Sequence, residues 1–215
     1  MKEEVDMTLL AKKFYTPAEY FKFEEQSETK HEYRDGQIVP MAGSSNNHSL
    51  ITVNITAEAR QFFKGKNCRV YNNDMRIFIS AYGIYTYPDV SVACGKIEFA
   101  KGRNDTITNP TLIIEVLSPS TANYDRGRKF TLYQSVKSLR AYVLIEQHRP
   151  HVEYFHKLAD GTWELETYDD LDAQFTLRAL KFALRLRDIY DTVDWLKHSS
   201  STSSAHPKPL RNKKA

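Results

Sequence analysis

The chain has 215 residues, of which 41% are hydrophobic and 27% charged, and a formal net charge of +3. That length favours one domain, or one domain plus a tail, and can fold without a disulfide framework. No run of about 18 apolar residues is present, which excludes a membrane-spanning helix. The charged start Met1-Lys2-Glu3-Glu4-Val5-Asp6 lacks the apolar stretch of a signal peptide.

Residues 1–12 read as an N-terminal extension. Thr16-Pro17-Ala18-Glu19 then opens a short helix, with Thr16 as cap, Pro17 at the first helical position and Glu19 closing a capping box. Two strands, 31–34 and 37–41, flank Asp35-Gly36, a strong hairpin signal. A long helix capped by Asn46 or Asn47 runs to about Phe63, with Leu50, Val53, Ile55, Ala57 and Phe62 as its apolar positions. Lys64-Gly65 ends it.

Strands follow at 68–72, 75–80, 85–93 and 111–117, with 95–110 reading as a loop. Cys68 and Cys94 are far apart and lack metal-type spacing, so they read as two reduced, buried thiols, as suits a cytoplasmic protein. A helix over 122–136 connects strand 111–117 to a strand at 141–146, a βαβ-like unit. Strands at 151–156, 163–168 and 175–177 and a helical turn at 186–190 complete the α/β pattern. Residues 198–215 read as a disordered basic tail. Four basic residues and no acid lie in 199–215, which leaves 1–198 near −1. Bulk charge therefore does not argue for a polyanionic partner.

Three residues carry the chemistry. Glu115 interrupts Leu112-Ile113-Ile114-Glu115-Val116-Leu117, a run apolar enough for a strand buried on both faces. A buried carboxylate needs a cation, a metal or a raised pKa. Tyr87-Pro88-Asp89 puts a second acid in the preceding strand, made irregular by a proline that cannot donate to a ladder. Two acids on rigid neighbouring strands are the hard oxygen ligands that Mg²⁺ takes. The third element is Tyr124-Asp125-Arg126-Gly127-Arg128-Lys129, where helical spacing puts Arg126, Lys129 and Tyr133 on one side. Gly127 inside this helix hints at a close backbone approach, and Arg128 reads as solvated.

Tyr87-Pro88-Asp89, Ile114-Glu115-Val116-Leu117-Ser118-Pro119-Ser120-Thr121 and Tyr124-Asp125-Arg126-Gly127-Arg128-Lys129 together resemble the Uma2 family, a branch of the PD-(D/E)xK nuclease superfamily. The resemblance covers roughly 13–192 and implies a nuclease domain over 13–197. The fold it implies is a restriction-endonuclease-like core, a mixed central β-sheet flanked by helices. It implies Asp89 and Glu115 as metal ligands with the Val116 carbonyl, Lys129 as the catalytic lysine, and Glu32 and His48 as auxiliary catalytic residues. The superfamily's lysine lies two residues after the acid, where this chain has Leu117; Lys129 is the matching position on the next helix. The implied activity is Mg²⁺-dependent hydrolysis of DNA phosphodiester bonds, with Mn²⁺ as a substitute metal, by a homodimer. The alternative is a catalytically inactive nuclease-fold module that binds nucleic acid or regulates.

Overall fold

The computed structural model describes residues 13–195. The expected N-terminal extension and basic tail lie outside these residues. Helix α1 (Pro17–Glu24) starts as expected, with the Thr16 side chain accepting from the Glu19 N–H and Glu19 closing the box. Strands β1 (His31–Arg34) and β2 (Gln37–Pro40) follow, joined by Asp35 and Gly36, both at positive φ. Such a two-residue turn matches the twist of the flanking strands.

Helix α2 (Asn46–Phe63) is capped by the Ser45 hydroxyl, which accepts from the His48 N–H, and not by an asparagine. Its buried positions are Ile51, Ile55, Ala59 and Phe63, a stripe four residues apart. Of the five positions expected to be apolar contacts, Ile55 alone is in this buried stripe; Val53 is 62% exposed.

Strands β3 (Cys68–Asn72), β4 (Arg76–Ile79), β5 (Ile84–Thr86) and β6 (Val90–Cys94) replace the expected three. The single strand predicted over 85–93 is two, and they belong to different sheets. The break is Tyr87-Pro88-Asp89. The expected loop 95–110 also contains a two-residue strand, β7 (Thr106–Ile107), parallel to β4. Then come β8 (Leu112–Leu117), α3 (Ala122–Tyr124), a π-helical turn (Asp125–Lys129) and α4 (Phe130–Gln134). Strands β9 (Ala141–Glu146), β10 (Val152–Lys157), β11 (Trp163–Tyr168), β12 (Gln174–Leu177) and β13 (Phe182–Arg185) lead to α5 (Leu186–Ile189). The sequence pattern does not predict β13.

The main sheet runs β11-β10-β9-β8-β6-β3, with β8 and β9 parallel and its other neighbours antiparallel. A second sheet runs β2-β1-β5-β4-β7. Alternation along β8 sends Leu112, Ile114 and Val116 to one core, with the α2 stripe, and Ile113 and Leu117 to another, with Phe130 and Tyr133. The fold is the expected mixed α/β architecture.

Cys68 and Cys94 are joined in a disulfide. This corrects the expectation of two free thiols. They are paired residues of antiparallel β3 and β6, a neighbourhood that 26 residues of separation conceals. The inference of a cytoplasmic location from reduced thiols loses its basis. Among the described residues, no helix is long and apolar enough to cross a membrane.

Candidate active site

The acids meet because of strand register. β6 and β8 are antiparallel with Val90 opposite Ile114 and Ser91 opposite Ile113. One step further along that register, Asp89 lies opposite Glu115. The Asp89 N–H points at Glu115 Oε2, 3.4 Å away, and Asp89 Oδ2 accepts from the Val116 N–H at 2.7 Å. Glu115 shares the parity of Ile113 and Leu117, so it faces the helical segment 122–134 and not α2.

That segment delivers Lys129. Its Nζ is 2.7 Å from Glu115 Oε1, 3.3 Å from Asp125 Oδ1 and 3.7 Å from Glu32 Oε1. The π-helical turn adds a residue to the turn and shifts the phase of the helix beyond it. Asp125 and Lys129 are therefore both buried, while Arg126 turns away to Glu146 and Glu153. This corrects the single face expected for Arg126, Lys129 and Tyr133. The buried Tyr142 hydroxyl donates to the Asp125 carbonyl at 3.0 Å, in the turn itself. Gly127 marks no close approach, since a Cβ there would meet nothing within 4 Å. Arg128 is exposed beside Asp35, as expected.

Glu32 arrives from the second sheet, where it accepts from the Tyr87 N–H at 3.3 Å. Tyr87 is also tied to α1, its hydroxyl donating to Glu24 at 2.9 Å. His48 comes from the first turn of α2, with Nε2 3.3 Å from Asp89 Oδ2. All six expected positions, Glu32, His48, Asp89, Glu115, Val116 and Lys129, line one cleft of about 600 Å³ at the seam between the sheets.

Two further residues belong here. Asp125 lies in the Tyr124–Lys129 motif, where the sequence reading assigns it no role; its signal is the four-residue spacing to Lys129. Gln147 follows β9, donates to the Leu117 carbonyl at 2.7 Å and accepts from the Ser45 hydroxyl, so it ties the end of β8 to the cap of α2. Nothing local in the sequence marks it.

The cluster is rich in acid: Glu32, Asp89, Glu115 and Asp125 surround one ammonium and one imidazole. Burial lifts the Glu115 pKa well above the carboxylate range, Asp125 and Asp89 add to this, and Lys129 opposes it. Burial works against the Lys129 ammonium, but Glu115, Glu32 and Asp125 outweigh it and hold the charge. Burial likewise disfavours a charged His48, but Asp89 and the Val116 backbone reverse that and raise its pKa. Each shift favours retaining a proton, which is how a site short of positive charge behaves. Glu115 Oε1 and Asp125 Oδ1 are both buried and share the one Lys129 ammonium. The donor set fits a hard divalent cation held by two carboxylates and completed by oxygens of water or substrate.

A second group of potential metal ligands, His156, Glu164 and Glu166, lies on β10 and β11. There Arg178 contacts both glutamates, so the protein already supplies the cation.

Comparison with known proteins places the chain in a family. The Uma2 family, described as "Putative restriction endonuclease", matches residues 17–187. The "Uncharacterized protein slr1290" of Synechocystis sp. is 39% identical over 177 residues, covering 81% of this chain and 90% of its own length. The "Uncharacterized protein sll1609" of the same organism is 36% identical over 159 residues, covering 74% and 90%. A crystal structure from Anabaena variabilis, titled a "putative nuclease belonging to DUF820", superposes with a TM-score of 0.65 at 20% identity, covering 80% of this chain and 96% of that one. That likeness shows a shared fold. By the extent of the family match and the identity of these relatives, the chain belongs to the Uma2 family.

Proposed function

We propose that the chain is a Mg²⁺-dependent endonuclease that hydrolyses DNA phosphodiester bonds. The observation that carries this reading is the opposition of Asp89 and Glu115 across two strands, with the buried Lys129 ammonium 2.7 Å from Glu115. Asp89, Glu115 and the Val116 carbonyl would hold the metal. The chemistry a bound Mg²⁺ supplies at such a pair, with Mn²⁺ as a substitute, is polarisation of a phosphoryl group and a lowered pKa for a bound water. The Val116 N–H orients Asp89. Lys129 is the group placed to stabilise charge developing on the phosphoryl oxygens. Glu32 steadies Lys129, and His48 holds a proton at Nε2 against Asp89.

The test is cleavage of plasmid, linear and single-stranded DNA by wild type and Asp89→Ala, with and without Mg²⁺. Metal-dependent cleavage by wild type, lost in the variant, is the expected result. Cleavage that persists in Asp89→Ala would remove the proposed site. A homodimer whose two sites cut two strands belongs to the same reading, and sedimentation at working concentration checks the dimer.

A second reading, a nuclease-fold module without catalysis, draws on one observation: Lys129 already contacts three carboxylates. Calorimetric titration separates the two. Absence of Mg²⁺ or Mn²⁺ binding by wild type favours the module.

A further inference from the structure

The proposed reaction leaves the substrate's own negative charge without a partner. Among the described residues that line the cleft, the arginines and lysines are Arg34 and Lys129. Lys129 is enclosed by Glu115, Asp125 and Glu32. A polyanion approaching four carboxylates needs a cation that is not already committed to them.

Arg34 is the less committed of the two, touching Glu32 alone among the four. It lies two residues after Glu32 on β1, so strand alternation puts both on one face. Tyr33 between them turns the other way, into a cluster with Tyr20 and Tyr85. The Arg34 guanidinium lies over the Tyr124 ring, its carbon 4.2 Å from the ring centroid. Its Nε is 3.4 Å from Glu32 Oε2, and its side chain is 23% exposed. The group is thus fixed on one flank by an aromatic face and at one nitrogen by a carboxylate. Other arginines around this end of the molecule have closer partners: Arg128 pairs with Asp35, Arg76 and Arg103 with Asp105, and Arg126 with Glu146 and Glu153. A stacked, planar guanidinium whose one carboxylate contact is a 3.4 Å approach at Nε is well suited to gripping phosphate with two parallel hydrogen bonds.

We propose that Arg34, held on Tyr124, binds a backbone phosphate of the nucleic acid beside the Asp89–Glu115 pair. The assignment rests on the nuclease reading above. The competing role is structural: Arg34 would only neutralise Glu32. The two roles differ in salt dependence, because a phosphate contact releases counterions and an internal ion pair does not.

The experiment measures binding of a labelled duplex and a labelled single strand by wild type, Arg34→Ala, Arg34→Gln and Arg34→Lys, from low to moderate salt. Ca²⁺ replaces Mg²⁺ to hold the chemistry, and Mg²⁺ cleavage of the same strands is followed in parallel. In Arg34→Ala and Arg34→Gln, binding should weaken about tenfold for every sequence tried. The slope of log affinity against log salt should become shallower by about 0.9 on duplex or about 0.7 on single strands. Arg34→Lys should keep the wild-type slope, because the charge remains, while binding more weakly for want of the fork. It also keeps the test open if the neutral variants fold poorly, since a slope that falls with Lys in place would contradict a charge-based contact. Tyr124→Leu, which removes the platform, should weaken binding with little change in slope. If wild type cleaves and the neutral variants keep its slope and affinity, the phosphate assignment fails and the nuclease reading stands. If wild type neither binds nor cleaves any nucleic acid with Mg²⁺ or Mn²⁺, both fall.

Discussion

The acidic cluster in the cleft and the one on β10 and β11 differ in what their oxygens touch. At the second, Glu166 Oε1 faces His156 Nε2 at 2.9 Å and the Arg178 guanidinium, while Oε2 accepts from the Tyr168 hydroxyl. Burial would raise the Glu166 pKa, but Tyr168, His156 and Arg178 outweigh it and lower it. In the cleft the balance is reversed: Glu115 is pushed up, and Glu115, Asp125 and Glu32 share a single ammonium. The β10–β11 group has the tighter ligand geometry, yet its charge is already compensated. Proximity of carboxylates therefore does not identify a cation site; an excess of buried acid over cations does.

The sharpest way to break this contrast is a matched pair of variants. Glu115→Gln should abolish the heat of Mn²⁺ binding and lower cleavage by about 10²-fold or more. Glu166→Gln should leave both as in wild type. If the metal heat disappears with Glu166 instead, the two clusters have been assigned the wrong way round.

Lys129→Met tests the charge deficit directly. It leaves Glu115, Asp125 and Glu32 buried around an apolar side chain, and losing one partner of a buried pair costs about 3–5 kcal/mol. Urea unfolding should show a loss of that order, partly restored by Mg²⁺. A loss unaffected by metal would mean that the cleft does not take up a cation in place of the ammonium.

The smallest effect belongs to the compensated cluster and concerns pH. A carboxylate with a depressed folded pKa stabilises the fold above its unfolded value, about 4.3 for glutamate, and loses that contribution as pH falls through the folded value. Wild type should therefore lose more stability than Glu166→Gln as pH drops below about 4.3, by about 1 kcal/mol or less at this partly solvated site. Parallel acid-unfolding curves for the two would show that Glu166 is not held by its neighbours.

Much of the site is legible in the sequence because its chemistry violates local expectation. Glu115 stands out in an apolar strand, and Pro88 announces an irregularity beside Asp89. The sequence does not say that the chain changes sheets there; 85–93 has one continuous strand pattern, and pairing partners decide where it divides. Lys129 is found through a resemblance, while its partner Asp125 goes unread although it lies four residues away; regular helical spacing instead misplaces Arg126, because it cannot anticipate an inserted residue. The α2 stripe is misjudged for a different reason. Ile51, Ile55, Ala59 and Phe63 are as visible as the expected positions, but Leu50, Val53 and Phe62 are equally apolar, and only packing against Val90, Ile114 and Val143 selects among them. The disulfide is a register fact, and register is the least local property of a sheet.

The π-helical turn has an evolutionary consequence. Substitution can change which side chain occupies position 129, but only an insertion or deletion can change which way that position faces. Removing one residue from 125–129 would restore an ordinary helix while stepping everything upstream of the deletion by about 100° relative to the downstream helix. The apolar anchors Phe130 and Tyr133 could stay in place as Asp125 swung out of the cleft. A relative could thus keep Asp89, Glu115, Asp125 and Lys129 and lose their arrangement through a single codon. Among such relatives, the length of the segment between the strand acid and the helix lysine is as informative as the residues themselves.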